Sequence, residues 1–294
     1  MSVSLSGIII GAALLSAVAA PAGATSQASS GSVCTPASGP VALADLSEAS
    51  GIAIGAAPAN RLWMHNDSGA PVLFAVDANG KPAGRITVGG ASVEDWEAIA
   101  SGPCGKGSCL FVGDIGDNDA RRPRITIYRM AEPSQLNGSV TAEAFHATYP
   151  DGSHDAETLL VSPDGTLFIV TKGDTGPVAV YKFPRELKAS ETMKLERVGN
   201  ALVEKANGKT RVTDGAFSAD GRWVVLRTND MLTFYPGENF ATGAFRASHR
   251  MSLTALNEPQ GEAVAFGRGN TVYLGGEGGG KKQPGTLASL TCRP

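Results

Sequence analysis

Helical periodicity is almost missing from this sequence, and so are clustered positive charge and a second long apolar run. The first absence argues against a helical bundle, leaving single turns at "SVEDWEAIA" and "RELKAS" as the only helical expectations. The second argues against a nucleic-acid partner: the formal net charge is -3, and only "ARRPR" at 120–124 is locally basic, as a solvated loop can be. The third leaves no stable membrane span in a mature chain, because the one apolar stretch, 7–24, is short and rich in Ala and Gly. Catalytic signatures are also scarce. There is no G-x-S-x-G nucleophile elbow and no H-E-x-x-H zinc helix.

The apolar stretch "GIIIGAALLSAVAAPAGA" ends in small residues and reads as a signal segment, 1–24, although "MSVSLS" carries no Lys or Arg. Residues 25–36 read as a flexible leader and 37–294 as a single domain. A secreted or periplasmic location follows, and with it an oxidising compartment for the four cysteines. Cys104 and Cys109 flank the loop tip "GKGS" and are placed to pair locally. Cys34 and Cys292 then remain, at opposite ends of the mature chain, and a bridge between them requires a fold that brings those ends together. Paired C-x₂₋₄-C knuckles, the mark of a zinc site, are not present.

A repeat supplies such a fold. The starts of apolar strands recur as "SGIAI" from Ser50, "EAIA" from Glu97, "ETLLV" from Glu157, "DGAFS" from Asp214 and "EAVAF" from Glu262. The intervals are about 47 to 60 residues, within the range of propeller repeats. Each unit continues with a second strand ("RLWMHND", "CLFVGDIGD", "TLFIVTKGD", "RWVVLRTND", "TVYLGGE"), a third and a weaker fourth, separated by turns such as "DANG", "SPDG" and "SADG". The fifth unit runs out before its fourth strand, which "PVALADL" at 40–46 can supply from the other end of the chain. The fold class is therefore all-β, a β-propeller of five four-stranded blades closed by an N-terminal strand, or of six if a long interval hides a degenerate unit.

In a propeller the inner strands line a central channel, so Glu97, Glu157, Asp214 and Glu262 are expected at one mouth. Crowded carboxylates must protonate or meet a cation. The inner candidates are Lys172, Arg227 and His65, each at the end of a second strand; the outer candidate is calcium, favoured over zinc by an all-oxygen ligand set. An arrangement in which the acids simply tie down adjacent loops explains them equally well. The loops of the same face add Asp67, Asp114, Asp117, Asn118, Asp174, Asn229 and Glu277 as ligand-binding candidates. His65 and His154 are the candidate proton carriers, with Lys172 and Arg227 to meet negative charge. Trp96 is either blade core or a binding wall.

Three weaker motifs do not survive inspection. "GGEGGGKK" places Lys282 where a phosphate loop needs Ser or Thr. "DIGDND" lacks the alternating order and the terminal Glu of an EF-hand. His65, Asp67 and Ser68 share one tight loop and need not converge as a triad.

The strings "LWMHNDSG", "DWEAIA", "FVGDIGDNDARR", "IYR" followed by "EP", and "DAETL" with "FIVTK" resemble a group of exported bacterial propellers without a settled activity, over about residues 50–185. That resemblance implies a fold and a compartment rather than a reaction. Acids at inner-strand starts are also similar, at the level of fold, to the calcium sites of apyrase-type and lactonase-type propellers, whose diagnostic motifs are not found here. Two functions fit: a monomeric exported propeller whose calcium-binding mouth takes a small or anionic ligand and hydrolyses an ester or phosphoester, or a non-catalytic module recognising a protein, a glycan or an envelope component.

Overall fold

The computed structural model describes residues 1–3, 33–56, 61–174, 176–203, 211–280 and 282–294. Two units are distinguished, Met1–Gly31 and Ser32–Pro294. The signal reading, beyond its first three residues, and the leader reading up to residue 32 lie outside the described residues. The second unit is a five-bladed propeller.

Four blades form from antiparallel strands taken in chain order. The first uses Ala49–Ile54, Leu62–Asn66, Val72–Val76 and Pro82–Gly89, and the second Trp96–Cys104, Gly107–Asp114, Ile125–Ala131 and Glu143–Thr148. The third uses Ala156–Val161, Leu167–Thr171, Ala179–Lys182 and Glu196–Asn200, and the fourth Val212–Phe217, Trp223–Thr228, Met231–Pro236 and His249–Ser252. The fifth has three of its own, Gln260–Phe266, Thr271–Glu277 and Gly285–Cys292, and takes Cys34–Leu43 as its outer strand. That strand runs antiparallel from Cys34 opposite Cys292 to Leu43 opposite Gly285, so the ring closes on hydrogen bonds. It begins at Cys34, inside the segment that the sequence suggests as leader. The reason is the unpaired edge of Gly285–Cys292, which offers backbone partners along its whole length.

The two long intervals of the repeat hold extra strands, not a sixth blade. Gly138–Thr141 adds in parallel to the outer edge of the first blade, and Thr192–Lys194 to that of the second. The helical turns expected at "SVEDWEAIA" and "RELKAS" do not form. In the first, Asp114 accepts the backbone N–H groups of Glu94 and Asp95, and the chain enters a strand at Trp96. One short helix, Gly237–Ala241, stands elsewhere.

Five apolar clusters hold the ring, one between each pair of neighbouring blades. Inner strands pack on both faces, which is why Ala156–Val161 is buried at every residue and reads as a continuous apolar run. Trp63 and Trp96 are fully buried in the layer between the first and second blades. Both expected disulfides form, Cys34–Cys292 and Cys104–Cys109, and no cysteine is free. Among the described residues no helix is long and apolar enough to cross a membrane.

Candidate functional site

Each inner strand opens with the same irregularity. Its pairing with the second strand shifts register around one residue: Ser50, Glu97, Glu157, Thr213 and Glu262. A bulge re-aims one side chain and bends the strand, and here it does so once per blade at the same level. The Ser50 hydroxyl donates to the Glu97 carbonyl at 3.2 Å and to its carboxylate at 2.9 Å; the Thr213 hydroxyl donates to the Glu262 carbonyl at 2.8 Å. The two hydroxyl members thus tie their blades to the next one round the ring.

The repeat alignment is one residue out in the fourth blade. Asp214 stands beyond the bulge, opposite Arg227, and its carboxylate accepts the Val264 N–H at 2.8 Å. It is sealed between the fourth and fifth blades, and burial raises its pKa well above the ordinary carboxylate range. Its place in the ring belongs to Thr213.

More acids join the three glutamates than the alignment supplies. Asp95 and Glu97 stand side by side, and Gly116 makes room for both: a Cβ there would collide with the two carboxyl groups. Asp67 and Glu48 form a second such pair. Burial comes first among the causes that raise these groups, followed by mutual repulsion. Burial and the Glu157 and Asp95 charges hold Glu97 well above its usual range; burial, with Glu48 and Asp95 beside it, pushes Asp67 up to about 6. Glu262 and Glu277 are each pushed up to about 7, chiefly by burial.

Lys172 reaches this ring from the third blade. Its ammonium contacts Glu157, lies 3.3 Å from Asp155 and reaches Asn118 at 3.5 Å. Burial would depress it, but Glu157, Asp155 and Glu97 outweigh burial and raise it above the ordinary lysine value. Burial likewise raises Glu157, and the ammonium in contact keeps it the anionic partner. Arg227, expected to share this task, does not reach the mouth. It is fully buried behind the fifth blade, paired to Glu258 at 2.6 Å and donating to the Ala263 and Gly275 carbonyls. The register explains the difference: Lys172 follows the last residue of its strand, whereas Arg227 lies within its strand.

Comparison with solved structures finds propellers. At TM-score 0.49 and 15% identity, the chain matches the PQQ-bound aldose sugar dehydrogenase of Streptomyces coelicolor, over 88% of this chain and all of that one. At 0.45 and 15% it matches a protein whose gluconolactonase assignment is provisional, over 88% of this chain and 95% of that one. At 0.42 and 16% it matches Kuenenia stuttgartiensis hydrazine synthase, over 79% of this chain but only 56% of that one. At these values none of the three bears on what this chain binds. Neither a protein-family profile nor a curated protein sequence matches it.

The remaining sequence candidates divide by burial. His65 is fully buried against Trp96, its pKa lowered to about 4 by desolvation, so it stays neutral and exposes no ring atom. Trp96 is blade core, its indole N–H donated to the Ser92 carbonyl. Asp114 and Asp117 tie loops: Asp114 also pairs with Arg122 at 2.8 Å, and Asp117 accepts the Arg121 and Arg122 N–H groups. Asn229 accepts the Gly261 N–H at the foot of the fifth inner strand. Asn118 lies at the edge of the mouth beside Lys172, Asp174 is paired with Arg211, and Glu277 faces Asp67 and Glu48. His154 stands aside from the ring, in a cleft with Asp151 and Tyr181. Asp95, Asp155 and Glu48 were not singled out as site residues. The D-x-E spacing repeated at 95–97 and 155–157 is the signal that reveals the first two.

The raised acids set a pH dependence with a definite sign. Glu262 binds its proton more tightly in the folded state than in the unfolded one, so its stabilising contribution is full below about pH 4.5 and is lost as pH rises through about 7. Thermal melts in EDTA should therefore show the protein more stable at pH 5.5 than at pH 8. Glu262→Gln should remove much of that slope and stabilise at pH 8 by roughly 2–3 kcal/mol. A slope unchanged in the variant would show that Glu262 does not hold the proton.

Proposed function

We propose that this is an exported propeller that binds a cationic ligand at its acidic mouth, calcium being the simplest such ligand. The observation that carries the reading is the imbalance of charge. Acids from four blades converge, and among the described residues Lys172, with Arg122 near Asp95, is what answers them. Export is supported by the two disulfides and the lack of a free cysteine, which suit an oxidising compartment.

Among the described residues no three His, Cys, Asp or Glu side chains already stand in metal-holding geometry. Calcium must therefore displace Lys172 from Glu157 and Asp155 and draw the glutamates inward. Hydrolysis finds little support at the mouth, since His65 is sealed in the core and Arg227 is spent on Glu258.

The test follows from mass action. Calcium raised from near zero to about a hundred times its dissociation constant should add roughly 2.7 kcal/mol to folding stability. The effect should be larger at pH 8 than at pH 5.5, where protons compete, and should vanish in Glu157→Gln/Glu262→Gln. Lys172→Met should lose stability in EDTA, by leaving buried carboxylates unpaired, and gain calcium affinity, by removing the built-in competitor. Melting curves of both proteins that ignore calcium and EDTA would reject calcium as the ligand and leave an acid ring that serves the fold.

A further inference from the structure

Beside the mouth lies a cleft whose chemistry differs from it. It measures about 410 Å³, inside the range of about 300–1,000 Å³ usual for small-molecule sites. One wall is the Asn118–Asp119 loop of the second blade. The other is built from the third blade by Asp151, His154, Tyr181 and Arg197.

Charge in the cleft is balanced within the protein. Asp151 lies 3.4 Å from Arg197, Asp155 lies 3.3 Å from Lys172, and Asp174 lies 2.7 Å from Arg211. An anionic or cationic ligand would have to pull one of these pairs apart, at a cost in unpaired charge. A neutral ligand need not. The paired groups still present donors and acceptors side by side: carboxylates have spare lone pairs, and Arg197 has spare N–H groups. A hydroxyl, which both donates and accepts, satisfies such an alternating surface without net charge.

His154 adds an oriented acceptor. Its Nε2 lies 3.1 Å from the Asp151 carboxylate and 2.9 Å from the Tyr181 hydroxyl, which itself donates to Asp151. With two acceptor oxygens at Nε2, the proton belongs on that nitrogen, and Nδ1 is the acceptor. Among the described residues Nδ1 has no hydrogen-bond partner. The ring is held from behind by Tyr149 and Tyr181, at centroid distances of 4.9 and 5.4 Å, while the imidazole keeps part of its surface exposed. This preorganised base edge, set beside amide and ion-paired groups, is suited to a hydroxyl proton.

We infer that the cleft is a binding site for a neutral polyhydroxylated molecule of about one sugar ring, adjoining the cation-binding mouth along Asn118 and Asp155.

The experiment uses the full chain with D-glucose, D-galactose, D-mannose and myo-inositol, followed by saturation-transfer NMR and calorimetry, with spermidine and inorganic phosphate as charged probes. At least one polyol should bind saturably in EDTA, where no calcium draws on Asp155. Arg197→Met and Asp151→Asn should each weaken it by about ten-fold, the scale of one lost hydrogen bond to a charged group. Asp220→Ala, on a remote hairpin turn, should leave it unchanged. Should the first two variants fold poorly, Gly176→Trp serves instead: a Cβ at Gly176 meets nothing within 4 Å, so the indole can block the cleft without removing any bond. Failure of every polyol to saturate, tighter cleft binding by spermidine or phosphate, or polyol binding indifferent to Gly176→Trp would each overturn the assignment. Loss of binding in EDTA alone would place the polyol at the mouth, and would overturn it too.

Discussion

Replacing Arg227 by methionine should cost the fold about 3–5 kcal/mol, the usual penalty for breaking a buried ion pair from one side. Arg227 has no exposed surface and the Glu258 side chain almost none, so the carboxylate left behind stays buried without the guanidinium that pairs with it. The same guanidinium donates at 2.7 and 2.9 Å to the carbonyls of Ala263 and Gly275, on the first two strands of the fifth blade. Gly261 is glycine because a Cβ there would run into this guanidinium. The arginine therefore fixes the bulge that carries Glu262. Urea denaturation of Arg227→Met should show the loss, and Arg227→Met/Glu258→Leu should recover most of it, since two apolar groups need no partner. A single variant within about 0.5 kcal/mol of the parent would mean that the pair is not closed off from water.

Removing the Cys34–Cys292 bridge, as the double serine variant, should also be costly. The bridge closes a loop of 258 residues, and loop-entropy reasoning assigns such a closure about 5–6 kcal/mol. It staples the one seam at which strands from the two ends of the domain meet. Removing Cys104–Cys109, which spans 5 residues across a hairpin turn, should cost much less. Paired denaturation curves would decide. Equal effects of the two bridges would show that the terminal strand stays docked without its staple.

Much of the fold was legible because strands announce themselves locally. Turn strings such as "SPDG" and "SADG" and runs such as "TLFIV" need only period and composition to be read, and the missing fourth strand of the last unit pointed to closure from the N-terminus. The site was legible in outline and wrong in detail. Glu97, Glu157 and Glu262 can be aligned because each opens its unit, whereas the same alignment puts Asp214 where the ladder puts Thr213. Carboxylate chemistry is visible in a sequence; the residue at which a ladder bulges is not, since it depends on how two strands meet.

The same limit separates Lys172 from Arg227 and His65. All three stand near the ends of second strands, and the sequence treats them alike. Two residues of register decide that Lys172 reaches the ring while Arg227 is sealed behind it, and packing on Trp96 decides that His65 is sealed as well. The ring of blades, its closing strand and the pairing of its cysteines were thus determined by sequence alone. Which acids crowd together, which cation meets them, and how Asp151, His154 and Tyr181 line a cleft were decided by the tertiary structure, because burial and inter-residue distance set a carboxyl group's charge and neither exists until the blades have packed.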